Sequence, residues 1–171
     1  GGATGNLNVT TLVLVPATLD AVKVPVIAGG GIVDGRTLAA GFALGASGAV
    51  VGSRLLLSEE CPIHPNLKQA LAAATELDTD VVMRSVNFPH RVWLNAPAKK
   101  VVELEARKAG IEEIYPLVSG EAAHRMYTTG DLDAGTISCS QAIGLVHEVK
   151  PVRAIFHDML AEAHRIHAAL A

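Results

Sequence analysis

The stretch from Val24 to Arg54, VPVIAGGGIVDGRTLAAGFALGASGAVVGSR, decides the fold. Two short apolar runs, Pro25 to Ala28 and Gly48 to Val51, each end in a glycine step, Gly29-Gly30-Gly31 and Gly52-Ser53. Val26, Ile27 and Ala28 make a continuous apolar run, the pattern of a strand buried on both faces of a parallel sheet. Asp34 is placed to cap the next helix, Leu38, Phe42 and Leu44 give that helix an apolar side, and Gly45 closes it. The crossover is long enough for a parallel return, and such crossovers are right-handed. The stretch therefore predicts one β-α-β unit with both strand ends open for something to approach the backbone.

Three consecutive glycines strip every Cβ from the first loop, so backbone N–H groups can converge on an anion. Gly52 and Ser53 offer further donors and a hydroxyl at the end of the neighbouring strand. Taken alone, GGG also reads as a plain tight turn. The second loop on the same sheet edge favours a shared phosphate, in the position that follows the last two strands of a (β/α)8 barrel.

With its continuation to Glu60, the stretch resembles the last two barrel strands of the nitronate monooxygenase family, formerly called 2-nitropropane dioxygenases, with related FMN-dependent enoyl-ACP reductases. Flanking pieces share the resemblance: GGATGN at Gly1 to Asn6, TTLVLVPATLDAV at Thr10 to Val22, and Gln141 to Gly144 before a final helix. It is strong over about the first 60 residues and loose in layout beyond. It implies the C-terminal part of a TIM barrel holding FMN, with the phosphate at Gly29 to Gly31 and Gly52-Ser53. Gly1, Gly2, Ala28 and Gln141 are implied as further cofactor contacts.

The 171 residues are 50% hydrophobic, enough for one core and a small appendage. The formal charge of −3, without a basic patch interleaved with aromatics, argues against a nucleic-acid partner. No apolar run reaches the ~18 residues that span a bilayer. Cys61 and Cys139 lack metal spacing and suggest reduced cytosolic thiols, a single disulfide remaining the alternative, so a cytoplasmic location is expected. A complete barrel takes eight strands and typically ~250 residues. The chain is thus expected to be a fragment, entering where the family ends its sixth strand and needing the N-terminal half of the barrel as a separate or missing segment. A self-sufficient small α/β domain is the alternative, and an oligomer is compatible with either.

Three domains are expected: residues 1–60 as the C-terminal part of the barrel, 61–130 as a small, mostly helical or α+β unit, and 131–171 as a return segment with the last barrel helix. Thr10 to Val22 reads as a helix that Pro16 kinks or shortens. His64 to Ala74 reads as a helix and Thr79 to Val86 as a short strand. Asn87 to Asn95, which carries Phe88 and Trp93, is either a packing cluster or a lid over the flavin. Pro97 to Ala109 is a charged helix ended by Gly110, Ile111 to Val118 a connector without clear pattern, and Gly120 to Tyr127 a short helix. Pro151 to Ala169 is the last helix, with Ile155, Phe156, Met159, Leu160 and Ile166 on one stripe.

None of the seven histidines pairs with Cys, Asp or Glu in a metal pattern, so no metal is expected. His90, beside the aromatic cluster, is a candidate substrate contact. By resemblance, Ser140 and Gln141 are candidate substrate or flavin contacts, with a helix-capping turn as the equal alternative. The resemblance also places the family's proton-abstracting histidine at Ala3, and alanine has no lone pair. A neutral nitroalkane substrate therefore becomes doubtful, whereas an anionic nitronate needs no base. The leading expectation is FMN-dependent oxidation of alkyl nitronates by O2. The alternatives are an FMN and NAD(P)H-dependent enoyl-thioester reductase or acyl-thioester dehydrogenase, and a silent flavin-binding or assembly subunit.

Overall fold

The computed structural model describes residues 9–170. The first unit runs α1 (Thr11–Ala21), β1 (Ile27–Gly29), α2 (Gly35–Ala43), β2 (Gly48–Val50) and the short α3 (Ser53–Leu56). The two strands pair in parallel, with Ile27 opposite Gly48, Ala28 opposite Ala49 and Gly29 opposite Val50. Helix α1 continues through Pro16 to Ala21.

Helix α2 starts where the sequence places it. The Asp34 carboxylate accepts from Thr37 N at 2.8 Å while Thr37 Oγ1 accepts from Asp34 N at 3.0 Å, a reciprocal capping box. Burial raises the Asp34 pKa, but the bonds to Thr37 and the Arg36 guanidinium outweigh it, and the carboxyl stays below its ordinary value. Gly45, at φ +96°, turns the chain out of the helix, and a Cβ there would lie 2.8 Å from Leu19 Cδ1.

The strands are not covered on both faces. Ala28 is buried, but Ile27 and Val50 are 54% and 60% exposed. The continuous apolar run overstates their burial in this chain, because α2 and α8 (Val152–Leu170) pack on one side only; Ala28, Leu38, Ile155, Met159 and Ala163 share that core. Helix α8 also departs from the expected stripe. Ile155, Met159 and Ala163 point inward, whereas Phe156 and Leu160 are 38% and 59% exposed.

The contact of α2 with α8 depends on Gly35. A Cβ there would overlap Glu162 Cβ and approach Ala163 N to 2.7 Å, and the Glu162 carboxylate accepts from Gly35 N at 2.8 Å. A Gly35→Ala substitution is expected to destabilise the fold by about 1–3 kcal/mol, since one helix must move off the other. A thermal melt of the protein reads this directly.

The middle of the chain contains α4 (Pro65–Ala72), β3 (Thr79–Val82), β4 (His90–Trp93), α5 (Ala96–Ala106), α6 (Ile111–Val118) and α7 (Gly120–Thr129). One expectation is sharpened here and one corrected. The aromatic stretch contributes β4, antiparallel to β3, with Trp93 packed on the core and Phe88 66% exposed. Residues 111–118 are a helix rather than a loose connector. Gly110 is the residue before its first turn, Glu112 and Glu113 suit the helix N-terminus, and Ile114 is fully buried. Gly110 and Pro116 look like breakers in sequence; here Gly110 precedes the helix as its cap, and Pro116 lies within it.

The β3–β4 turn holds Met83 and Asn87 at φ 60° and 57°. The Glu105 carboxylate on α5 secures it by accepting from Met83 N at 3.0 Å and Ser85 N at 2.8 Å. β4 is bonded on its other side by the return segment, through Trp93 N to Ile137 O and Cys139 N to Arg91 O, each 3.0 Å. A core of Leu57, Leu67, Leu71, Met126, Ile137 and Ile143 joins residues from both sides of the expected boundary at 60. The buried Lys68 ammonium closes the turn between, donating to Ser58 O at 2.6 Å and Glu59 O at 3.1 Å.

Candidate functional site

The parallel register brings Gly29 and Val50 side by side, so the loops that follow leave the sheet from the same edge. Gly30 and Gly31 adopt φ 90° and 80°, a region that glycine enters without steric cost. Thr11 Oγ1 donates to Gly30 O at 3.1 Å and fixes how the loop leaves β1. Ideal Cβ atoms on Gly31 or Gly52 would meet nothing within 4 Å, so both backbones border open space. Among the described residues, the N–H groups of Gly30, Gly31, Gly52 and Ser53 donate to no turn, loop or cap acceptor. Backbone donors left without such acceptors, on two adjacent glycine-containing loops that border open space, are chemically suited to an anion.

Ser53 adds a second feature. Its Oγ accepts from Ser140 N at 2.9 Å and donates to Ser140 Oγ at 3.0 Å, across 87 positions of sequence. Ser140 is 4% exposed, so the structure places it behind the loop rather than open to solvent. Gln141, beside it, is exposed at the start of the 3-10 turn Gln141–Leu145. Burial pushes the neighbouring Cys139 thiol up to about 11, with a hydrogen bond to Ser53 opposing the shift, which favours the neutral thiol at neutral pH. Both cysteines are free.

Arg54, the next residue, is buried and borders a cavity of about 230 Å³ with Lys150, Asp158 and Glu162. Its Nη1 donates to Leu57 O at 3.3 Å and Glu148 O at 3.1 Å. Burial lowers its pKa, against the pull of Glu148 and Asp158. Sequence reading missed both the Arg54 clamp and the Ser53–Ser140 pair, and no local spacing could have signalled either.

The remaining candidates divide. Ala28 lies buried in β1 beneath the glycine loop. His90 begins β4, with its ring Nδ1 3.2 Å from Phe88 O and edge-on to the Phe88 ring at 5.8 Å. Gly1, Gly2 and Ala3 lie outside the described residues. Among the described residues no His, Cys, Asp and Glu group is placed to hold a metal, and no helix is long and apolar enough to cross a membrane.

Known proteins are similar to this chain. A Rhodococcus jostii (strain RHA1) protein named (3aS,4S,5R,7aS)-5-hydroxy-7a-methyl-1-oxo-octahydro-1H-indene-4-carboxyl-CoA dehydrogenase is 40% identical over 111 residues, covering 65% of this chain and 31% of its own. A protein of Mycobacterium tuberculosis (strain ATCC 25618 / H37Rv), named as a monooxygenase, is 32% identical over an alignment covering 95% of this chain and 44% of its own. The solved structure of FabK from Thermotoga maritima superposes with a TM-score of 0.91 at 36% identity, over 99% of this chain and 53% of that one. The chain thus spans about half, or less, of the length of these relatives. The sequence model of the nitronate monooxygenase family matches residues 1–162, and the chain, with its two glycine loops at the ends of adjacent parallel strands, belongs to that family of oxidoreductases.

Proposed function

We propose that this chain forms the phosphate-binding part of an FMN-dependent oxidoreductase that oxidises alkyl nitronates with O2. The observation that carries the reading is the pair of loops at Gly29 to Gly31 and Gly52-Ser53 on one sheet edge, with open space beside Gly31 and Gly52 and, among the described residues, no turn, loop or cap acceptor for the N–H groups of Gly30, Gly31, Gly52 and Ser53. The residues fit a phosphomonoester: several neutral donors lie on adjacent loops, and no side chain at Gly31 or Gly52 fills the space. Gln141 is exposed at the head of its turn, within the segment that Ser140 ties to the second loop, and is proposed to contact the flavin. Gly1, Gly2 and Ala28 complete the proposed contacts. The chemistry supplied by FMN when bound is electron transfer between an organic substrate and O2.

The chain's own part is binding and orientation. The glycine loops hold the phosphate end, which fixes the rest of the cofactor relative to the sheet edge. At position 3 an alanine offers no base, so a substrate that arrives as the nitronate anion suits the site, since its proton is already gone. The remaining barrel strands are proposed to come from the N-terminal half of the protein, over the exposed Ile27 and Val50 side of β1 and β2.

Similarity to FabK over 99% of the chain, and to a carboxyl-CoA dehydrogenase, favours a second reading, reduction or oxidation of an acyl thioester with a nicotinamide partner. One experiment separates the two. The purified full-length protein is expected to show an oxidised-flavin absorption band that an alkyl nitronate bleaches in air-free buffer. Rapid bleaching by NADH or NADPH, with none by nitronate, supports the thioester reading. A preparation with no flavin band overturns both.

A further inference from the structure

We infer that Ser140 is a positioning residue that aims the Ser53 hydroxyl at the cofactor phosphate; the inference rests on the FMN reading above. Ser140 is held on both sides. Cys139 N donates to Arg91 O at 3.0 Å, tying the segment to β4, and Ile143 N donates to Ser140 O at 3.0 Å within the 3-10 turn. Its N–H and hydroxyl both meet Ser53 Oγ, at 2.9 Å and 3.0 Å. Ser140 itself is 4% exposed, so it cannot reach a ligand in the open space beyond Gly52.

A serine hydroxyl has one proton and two lone pairs. In the free site the Ser140 N–H takes one lone pair of Ser53 Oγ, and the Ser53 proton points back to Ser140 Oγ. A phosphate oxygen beside Ser53 is a far stronger acceptor than a neutral hydroxyl. When it arrives, the Ser53 proton turns outward to it, and the Ser140 hydroxyl rotates to donate into the second lone pair. Both lone pairs of Ser53 are then filled from behind, and its proton goes to the phosphate, a far stronger acceptor than the neutral Cys139 thiol that also adjoins Ser53. Ser140 thus orients a charge-assisted hydrogen bond without touching the ligand.

Phosphate dependence provides the test. Kd values for FMN and for riboflavin, which lacks the phosphate, are measured by flavin fluorescence on the full-length, flavin-stripped protein. Ser140→Ala keeps the N–H but removes the hydroxyl, and is expected to weaken FMN binding about tenfold, the size of one hydrogen bond to a charged group, while riboflavin binding stays unchanged. Ser53→Ala should weaken FMN binding at least as much, and the double substitution should be no worse than Ser53→Ala alone. Ser140→Thr, which keeps a hydroxyl, should restore the preference for FMN. Ser140→Cys, nearly the same size but a weak donor, repeats the alanine test if alanine unfolds the site.

Equal losses for FMN and riboflavin would make Ser140 merely structural and overturn the inference. So would an unchanged FMN preference in Ser140→Ala, or additive effects of the two alanines. A wild-type protein that binds FMN no better than riboflavin would instead overturn the phosphate-site reading itself.

Discussion

Gly52→Asp is expected to abolish cofactor binding while leaving the fold intact. Gly52 has φ −111°, open to any L-residue, and a Cβ there meets nothing within 4 Å, so the new side chain enters without a clash. Stability should therefore move by no more than about 0.5 kcal/mol. The carboxylate, however, stands among the backbone donors proposed to receive a phosphate. Two unit charges about 4 Å apart repel by about 4 kcal/mol at a surface-like dielectric, close to a thousandfold in affinity, and exposure of the loop reduces that to at least about a hundredfold. Gly52→Asn is the control, with the same shape and no charge. Titration of both variants with FMN, beside a thermal melt, reads the outcome. A Gly52→Asp protein that still binds FMN within a few-fold of wild type would remove Gly52 from the phosphate site.

Asn95→Leu should produce the largest loss of stability. Asn95 is 6% exposed and makes three hydrogen bonds to backbone groups from one side chain, with a longer contact of Nδ2 to Met126 Sδ at 3.9 Å. Its Nδ2 donates to Leu132 O and to Gly135 O, each at 2.7 Å, and its Oδ1 accepts from Ala98 N at 3.1 Å to cap α5. Leucine of similar size keeps the packing but strands these groups. The two stranded carbonyls cost about 1–3 kcal/mol each and the lost cap about 1, so the expected total is about 3–7 kcal/mol. A denaturant or thermal unfolding curve measures it. Asn95→Asp adds a signature in pH. A carboxylate would face two carbonyl oxygens, so the folded state should raise its pKa above the unfolded value. The variant should then be least stable at neutral pH and recover as pH falls, when the protonated acid can again donate to one carbonyl. A variant indifferent to pH would show that the side chain had swung away from Leu132 and Gly135.

The position of Asn95 links stability to the site. The segment it holds, Leu132 to Gly135, leads into residues 137–139 that pair with β4, and so to Ser140 behind the second glycine loop. Weakening Asn95 is thus expected to loosen the support of Ser53 as well as the fold.

Much of the first unit was legible because its signals are local. Asp34 and Thr37 lie three residues apart and satisfy each other within one helical turn. Gly45 has to leave the helix at positive φ, and consecutive glycines after an apolar run have few other uses. Such features act over a few residues, so their pattern survives in the order of the chain. The antiparallel hairpin was harder, since its turn uses non-glycine residues at positive φ, Met83 and Asn87, held by Glu105 from a distant helix. The helix at Ile111–Val118 was masked by Gly110 and Pro116, which signal breaks only where tertiary packing does not overrule them.

By itself, the sequence determined a parallel β-α-β unit with two glycine-containing loops at neighbouring strand ends, and its resemblance pointed to the family. Tertiary structure alone decided which groups stand behind those loops. Ser53 and Ser140 meet only because the return segment pairs with β4, and Arg54 reaches Glu148 O only after the segment before α8 folds over the loop. It also decided that Ile27 and Val50 stay exposed while Ala28 is buried, which an apolar run cannot distinguish. The reason is physical: capping and backbone conformation act between near neighbours, whereas partner choice and burial depend on which distant segments fold together.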